Sequence, residues 1–395
     1  MTYCLIVMLL LYYVYLHDIK CHRSNFHSHQ IVILLVFTAL AGLRYRMAPD
    51  SITFEYEFNN IYPKIYNIHY SDITESRYPI LWFLANSLFY TYFNYYIFQI
   101  FCAFISNYLV SKFINSVTTK YFSVMLFYFI FSFCYFNMDV MREFLAVSFE
   151  MYALAFILQN RNKIGIIFAL LAPLIHSFSF FFSTLIFLIY LNVRKSVFAI
   201  CSILGIILAI NFSEAVSIII NYFPGMAVSV LYYTMMDIER ISLLGFLSKL
   251  ISPILLLIIL KKANNANMSI FKSSNNYKRI NDIAYLLVFS YLILVILRWS
   301  VPYAERLFNY YSLISYVIYA YGFYSLLCNR GSYTLYLFRL ISLIILFYLP
   351  TAKEMFTKSE ANVELFYRYY PYSNIINKEI NIERERIIHN EQRVY

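Results

Sequence analysis

A small set of charged and histidine residues lies inside or at the edges of long apolar stretches of this sequence. Because a charge in lipid is costly, such positions indicate a functional role by default. Arginine offers a fixed positive charge on a planar fork of donors, while histidine and the carboxylates can move a proton. The residues of this kind are Arg44, Arg46, Asp50, Asp139, Arg142, Glu143, His176, Arg298, Glu305 and Arg306. Their types are those of a site that binds an anion or transfers protons.

Each of these positions also has a structural interpretation. Arg44 and Arg46 could reach from a helix end to lipid phosphates, which explains them as well as function does. Arg142 lies in the very short turn 137–143, where two acids and an arginine meet between two apolar runs. A structural ion pair would account for this turn, and we favour a functional role over it. His176 lies between two apolar runs without basic neighbours, and a buried core histidine fits that position as well as a functional one.

The elements that must position these residues are membrane helices. Hydrophobic residues make up 61% of the 395 and charged residues only 13%, and a water-soluble fold of this length could not hide so much apolar surface. The first run has neither a basic stretch before it nor a small-residue cleavage site after it, so we expect a membrane helix and not a removed signal peptide. Apolar runs that could form helices cover residues 2–17, 31–43, 79–93, 95–113, 121–137, 143–158, 163–175, 178–193, 196–212, 242–260, 282–297, 307–327 and 334–350.

Loop charge predicts the orientation of these helices. Short loops rich in lysine and arginine, such as 161–163 and 261–279, are expected on the cytoplasmic side. All the basic loops can lie there only if one early run does not cross, and 79–93 is the weakest, because it begins with Tyr78-Pro79 and carries asparagines. We therefore predict an all-α, polytopic integral membrane protein with about 12 transmembrane helices and one re-entrant or interfacial helix. Both termini are expected outside.

The same arrangement predicts the domain organisation. Residues 1–350 form a single transmembrane domain, whose longest loops, 44–78 and 213–240, face outwards, and residues 351–395 form a polar tail outside. The unusual polar residues at the edges of the runs all fall on this outer side. An outward-facing active or binding site is the simplest explanation of that coincidence.

Several function classes are excluded by the remaining features. The net charge of +10 comes from loops beside membrane runs, where basic residues set orientation, so no nucleic-acid partner is expected. Cys21, His22, His27 and His29 are ligand-type residues, but their spacing fits no standard zinc pattern. We predict neither a metal site nor a cofactor. The sequence contains no phosphate-binding glycine loop, nucleophile elbow or HExxH motif.

Five short motifs follow one another along most of the chain. They are Gly42-Leu43-Arg44-Tyr45 with Asp50, the turn 137–142 with Leu145-Ala146, Ile175-His176-Ser177, Glu305-Arg306, and Tyr370-Pro371-Tyr372. In their order and spacing they resemble the EpsG family of bacterial exopolysaccharide proteins, which is grouped with Wzy-type polymerases. The chain departs from the family pattern mainly before Asp50, where Ala48-Pro49 replaces a glycine-threonine pair.

This resemblance implies a membrane glycosyltransferase of the bacterial inner (cytoplasmic) membrane that polymerises a capsule, O-antigen or exopolysaccharide on the outer face. A growing chain moves from its polyprenyl-pyrophosphate carrier onto the next lipid-linked repeat unit. Cations must hold the leaving pyrophosphate, and the candidates are Arg44, Arg142, Arg298 and Arg306. A base must take the proton of the acceptor hydroxyl, and the candidates are His176, Asp50 and Glu143.

The implied partners are a polyprenyl-pyrophosphate-linked oligosaccharide and membrane lipid, with a chain-length regulator and a repeat-unit flippase as further candidates. Two other functional classes stay open. A transporter or flippase of lipid-linked sugars would place its charges along a pathway near the bilayer midplane, and no inverted repeat is evident in the sequence. A non-catalytic scaffold of the polysaccharide machinery would need neither the arginines nor the histidine.

Overall fold

The computed structural model describes residues 2–74, 76–191, 243–265, 270–272, 277–298, 304–327, 356–359 and 362–393. Within these ranges the chain is helical and forms no strand, and isolated bridges join Arg44 to Asn374 and Lys358 to Glu364. The α-helices are α1 (Thr2–Tyr13), α2 (Phe26–Gly42), α3 (Pro49–Asn60), α4 (Tyr70–Thr74), α5 (Ile80–Tyr92), α6 (Tyr95–Val117), α7 (Tyr121–Tyr128), α8 (Met141–Leu158), α9 (Asn162–Leu171), α10 (Ser179–Tyr190), α11 (Leu243–Asn265), α12 (Tyr277–Leu297), α13 (Ala304–Leu327) and α14 (Ile382–Arg393). Wider π turns cover Val14–Ile19, Phe129–Phe133 and Tyr135–Asp139, and 3-10 turns cover Ile65–Asn67 and Leu365–Arg368.

Most of the predicted apolar runs are helices. Eleven of the 13 runs coincide with helices, and the other two, 196–212 and 334–350, lie outside the described residues. The predicted outer loop 213–240 lies outside them as well. The all-α prediction is therefore confirmed for the part of the chain that the structure describes.

Helix lengths bear on the number of membrane crossings. Thr2–Ile19, Tyr95–Val117 and Arg279–Leu297 are long and apolar enough to cross a membrane. Shorter apolar helices, of 10–17 residues, are Phe26–Gly42, Tyr121–Phe133, Asn162–Leu171 and Ser179–Tyr190. A helix of 17 residues spans about 26 Å, somewhat less than the hydrocarbon core of about 30 Å. The protein is an all-helical membrane protein, while the count of about 12 crossings and the re-entrant or interfacial placement of 79–93 stay predictions.

The predicted outer loop 44–78 contains a helix that the run-based prediction missed. Pro49 occupies the first turn of α3, where its missing N–H costs nothing, and Asp50 follows with a charge that favours a helix N-terminus. One turn apart, Phe54 and Phe58 pack towards the same apolar cluster, in which Phe58 is only 1% exposed. Polar residues interrupt the apolar ones throughout α3, so the sequence shows no continuous apolar run there.

The chain divides into two compact units, Met1–Ser183 with Ala320–Tyr395 and Thr184–Tyr319, which are described separately. In the first unit α6 packs against α2 and α8, α8 against α9, and α1 against α7. A Cβ on Gly42 would lie 2.9 Å from the Ile100 Cα, so the close approach of α2 to α6 requires glycine there. In the second unit α11 packs against α12. A single transmembrane domain over 1–350 stays a prediction.

Candidate functional site

The turn between α7 and α8 concentrates charge at one point of the first unit. After α7, π turns continue to Asp139, and such turns are frequent at functional sites. Val140 then leaves the helical region of backbone space, and α8 begins at Met141. This break ends one helix at Asp139 and places Arg142 and Glu143 in the first turn of the next. Glu143 is buried, at 4% exposed.

Arg44, two residues after the end of α2, is fully buried. Its Nη1 donates to the Ala41 carbonyl at 2.6 Å, and its Nη2 lies 3.6 Å from the Met141 sulfur. Burial lowers the pKa of Arg44, and Asp139 is among the groups that oppose this shift. A snorkelling contact with lipid phosphates does not describe this side chain, which is 0% exposed. Arg44 is a buried positive charge in the neighbourhood of a carboxylate.

Asp139 links three parts of the first unit. Its Oδ1 accepts a long 3.4 Å hydrogen bond from the Asp50 backbone N–H at the start of α3. Its Oδ2 accepts from the Tyr369 hydroxyl at 3.3 Å. Burial raises the pKa of Tyr369, and Asp139 raises it further, so the phenol stays a donor. Asp50 therefore meets this carboxylate through its backbone.

The C-terminal tail packs onto the segment that follows α2. Tyr45 N–H donates to the Ser373 carbonyl at 3.0 Å, and Ile375 N–H donates to the Leu43 carbonyl at 2.9 Å. Farther along the tail, the Arg384 side chain is 1% exposed and donates to the carbonyls of Tyr367 and Pro371. The tail predicted as merely polar is thus a folded part of the site, on the same side of the unit as residues 44–50.

Arg142 stacks on an aromatic ring. Its guanidinium carbon lies 5.1 Å from the centre of the Tyr78 ring, which is cation–π geometry. Among the described residues it forms no ion pair with Asp139 or Glu143, so the alternative of a structural ion pair within the turn is not what the structure contains. The buried Nε of Arg142 has no hydrogen-bonding partner there either. A donor of this kind can bind an anionic oxygen.

Tyr78 itself is held by Arg77, which also pairs with Glu57 in α3. Arg77 Nε donates to the Tyr78 hydroxyl at 2.7 Å, and Arg77 Nη2 lies 2.6 Å from Glu57 Oε1 in an ion pair. Burial raises the pKa of Tyr78, and the Glu57 carboxylate raises it further. Burial also raises the pKa of Tyr62, whereas Arg142 acts in the opposite direction. The Tyr62 and Tyr78 ring centres are 5.7 Å apart.

His176 is anchored to the beginning of α5. The carbonyl of Leu174, two residues before it, accepts hydrogen bonds from the N–H groups of Leu81 at 2.8 Å and Trp82 at 3.2 Å. The His176 ring is 5% exposed and stacks on Phe178 with centroids 5.8 Å apart. Tyr78 lies two residues before the start of α5 and contacts Arg142, so the segment 78–82 contacts both the histidine turn and the arginine turn.

Five of the seven predicted site residues lie in the first unit: Arg44, Asp50, Arg142, Glu143 and His176. The other two, Arg298 and Arg306, belong to the second unit and are described by themselves. There Arg298 Nε donates to Glu305 Oε2 at 2.8 Å, and Lys249 pairs with the other oxygen of the same carboxylate. Arg306 is exposed. Arg298 is thus committed to an ion pair that the sequence did not predict.

Two histidines, His17 and His29, lie close together near the C-terminal end of α1. His17 Nε2 lies 2.7 Å from His29 Nδ1, and the His29 ring stacks on Tyr13 with centroids 4.3 Å apart. Among the described residues no group of three metal-ligand side chains could hold an ion. His29 therefore takes part in an aromatic and hydrogen-bonded packing cluster.

Sequence reasoning missed several residues that contribute to the site. Glu57 and Tyr62 lie within residues 44–78 and Trp82 lies in α5, and they carry no recognisable motif. Tyr369 directly precedes the tail motif Tyr370-Pro371-Tyr372, which was a usable signal. Asp139 lies in the charged turn 137–143, and its acidic residue type was the signal there.

Comparison with known proteins identifies a family. The EpsG family matches the chain over residues 29–374. No curated protein and no solved structure matches it. Because the family match spans most of the chain and includes the turn 137–143, His176 and the tail motif, this protein belongs to the EpsG family.

Proposed function

We propose that this protein is a polysaccharide polymerase, a multi-pass glycosyltransferase of the bacterial inner membrane that joins polyprenyl-pyrophosphate-linked repeat units on the outer face. Membership of the EpsG family supports a role in exopolysaccharide synthesis. The product is a capsule, an O-antigen or a secreted exopolysaccharide. Its partners are the lipid-linked oligosaccharide, membrane lipid, a chain-length regulator and a repeat-unit flippase.

In the proposed reaction the acceptor hydroxyl attacks the anomeric carbon of the donor chain. A glycosidic C–O bond forms while the C–O bond to pyrophosphate breaks, and polyprenyl pyrophosphate leaves with the bonding electrons. The hydroxyl proton passes to a base, for which His176 has the most suitable intrinsic pKa, with Asp50 and Glu143 as alternatives. Arg142 stabilises the charge that develops on the pyrophosphate, and Arg298 and Arg306 are further candidates. Arg44 acts as a positioning residue, because it is buried near Asp139.

The observation that carries this proposal is the attachment of Arg142 and His176 to one short segment, residues 78–82. A pyrophosphate leaving group needs a fixed cation, and the attacking hydroxyl needs a base nearby. Arg142 offers a buried Nε–H donor without a partner among the described residues. The two residue types that the chemistry requires are thus attached to a common structural element.

The test is a comparison of Arg142→Ala and His176→Ala in a strain that lacks the native gene. Arg161→Ala is the matched control, because Arg161 is an exposed arginine that also contacts an aromatic ring, with its guanidinium carbon 5.8 Å from the Phe156 centroid. Membrane levels are equalised by immunoblot, and the glycan is separated on a gel. Single repeat units on the outer face are detected in parallel.

We expect both site variants to lose long chains while single repeat units still reach the outer face, and the control to make normal chains. Loss of the outer single units as well would indicate a transporter. Normal chain lengths in both alanine variants would contradict catalysis and favour a scaffold.

A further inference from the structure

Four buried polar atoms of the first unit lie near one another and have no hydrogen-bonding partner of normal length among the described residues. They are Glu57 Oε2, Tyr62 Oη, Trp82 Nε1 and Arg142 Nε. Glu57, Tyr62 and Trp82 are only 4%, 4% and 2% exposed. We call these four residues the Tyr62 cluster.

Tyr78 connects the members of the Tyr62 cluster. The Arg142 guanidinium carbon lies 5.1 Å from the centre of the Tyr78 ring, and the Tyr62 and Tyr78 ring centres are 5.7 Å apart. Tyr62, Tyr78 and Trp82 belong to the same buried apolar cluster, and Arg77 contacts both the Tyr78 hydroxyl and Glu57 Oε1. The four atoms therefore belong to one site between α3, α5 and α8.

Such a group of atoms needs an explanation. Folded proteins pair the great majority of their buried polar groups, and each unpaired group opposes folding. Phenylalanine at position 62 would fill almost the same space without that penalty. The cluster offers two N–H donors, a carboxylate acceptor and a hydroxyl that does both, beside aromatic rings. A pyranose matches this set, because its hydroxyls donate and accept and its C–H faces stack on aromatic rings.

We propose that the Tyr62 cluster is a sugar subsite, which binds the pyranose ring next to the pyrophosphate of the lipid-linked substrate. This inference rests on the proposed polymerase function. Sugar hydroxyls supply partners for the atoms Glu57 Oε2, Tyr62 Oη and Trp82 Nε1, and Arg142 lies at the phosphate end. The ion pair between Glu57 and Arg77, whose side chain is 72% exposed, is the part of the site nearest solvent. It has to open for the sugar to enter.

The first experiment compares Tyr62→Phe with Tyr95→Phe. Both tyrosines belong to the same buried apolar cluster, but the Tyr95 hydroxyl donates to the Ser51 carbonyl at 3.1 Å. We expect Tyr62→Phe to melt at the same or a higher temperature than the parent protein and to make shorter glycan chains. Tyr95→Phe, which loses a formed hydrogen bond, should melt at a lower temperature. A fall in melting temperature for Tyr62→Phe, or normal chains from it, would overturn the subsite.

A direct binding measurement uses Trp82 as the probe. The sequence has two tryptophans, and Trp299→Phe leaves Trp82 as the only one. The purified full-length variant is titrated in detergent with glucose 1-phosphate, with N-acetylglucosamine 1-phosphate and, separately, with inorganic phosphate. We expect a saturable change in emission with a sugar phosphate and none with phosphate alone. Adding Tyr62→Phe should weaken the apparent affinity roughly fivefold, as expected for one lost hydrogen bond.

The outcomes separate this inference from the proposed function. If neither sugar phosphate changes the Trp82 emission, the subsite is overturned, whatever Arg142→Ala and His176→Ala do to chain length. A saturable titration together with normal chains from those two alanine variants would overturn the polymerase proposal and leave a sugar-binding protein.

Discussion

Arg46 and Glu385 form a two-point ion pair although 339 positions separate them in the sequence. Arg46 Nε lies 2.9 Å from Glu385 Oε1, and Arg46 Nη2 lies 2.8 Å from Glu385 Oε2. The side chains are 31% and 18% exposed. This pair connects the segment after α2 to the C-terminal helix α14, so it reports whether the tail is packed against the site.

Reversing one charge of this pair should loosen the tail. We expect Arg46→Glu to destabilise the protein by about 1 kcal/mol, because a partly exposed bidentate pair lies at the upper end of the range for surface ion pairs. The double variant Arg46→Glu/Glu385→Arg should recover most of the lost stability. The measurements are the melting temperature in detergent at low salt and the glycan chain length. Equal melting temperatures for the single and double variants would contradict a direct interaction.

Arg142→Lys should recover little of the activity that Arg142→Ala loses. Lysine keeps the charge, but it lacks the planar fork that binds two phosphate oxygens and stacks on the Tyr78 ring. The readout is glycan chain length at matched membrane levels. Near-normal chains from Arg142→Lys would mean that Arg142 acts as a simple electrostatic anchor.

Tyr369→Phe should weaken the junction between the tail and Asp139. The variant removes the phenol that donates to Asp139 Oδ2 at 3.3 Å, at a cost of about 1 kcal/mol. Tyr370→Phe is the control, because Tyr370 is adjacent in sequence and 40% exposed. Thermal melts of both variants decide the prediction, which fails if the control loses as much stability as Tyr369→Phe.

Ala48→Gly should stabilise the protein. Ala48 has φ 65° and ψ 153°, a backbone region that is almost restricted to glycine. Glycine relieves this strain but also raises the entropy of the unfolded chain. The net effect should be a rise of about 1 kcal/mol in the free energy of unfolding. The same change at Ala39, which is exposed within α2, should instead lower the free energy of unfolding by about 1 kcal/mol. Opposite shifts in melting temperature would confirm the strain, and a loss at both positions would disprove it.

Residues 44–78 and the tail should lie together on the outer face of the membrane. Backbone hydrogen bonds join residues 43–45 to 373–375, which requires one side for both segments. In a variant without the six native cysteines, Tyr70→Cys and Ile376→Cys offer positions that are 82% and 83% exposed. An impermeant maleimide should label both in intact cells. Lys163→Cys, in the predicted cytoplasmic turn, should react only after permeabilisation, and the reverse pattern would invert the predicted topology.

The sequence by itself determined the apolar helices that the structure describes, the family and the charged residues that interrupt the apolar runs. Length and apolar content are local properties of a run, so runs such as 121–137 and 143–158 could be found without knowing any contact. The charged turn between them was visible for the same reason, because Arg142 interrupts an apolar background. Motif order along the chain was enough to indicate the EpsG family.

Only the tertiary structure decided which of these residues meet. The contacts of Arg46 with Glu385, of Asp139 with Tyr369 and of Arg142 with Tyr78 join segments far apart in sequence. No periodicity encodes such contacts, since they depend on how helices pack and on where side chains point. Helix α3 lacked an apolar run, and the unpaired atoms of the Tyr62 cluster are defined by their surroundings and not by residue type. The sugar subsite is therefore visible only in the folded chain, where burial removes water from polar groups that have no partner.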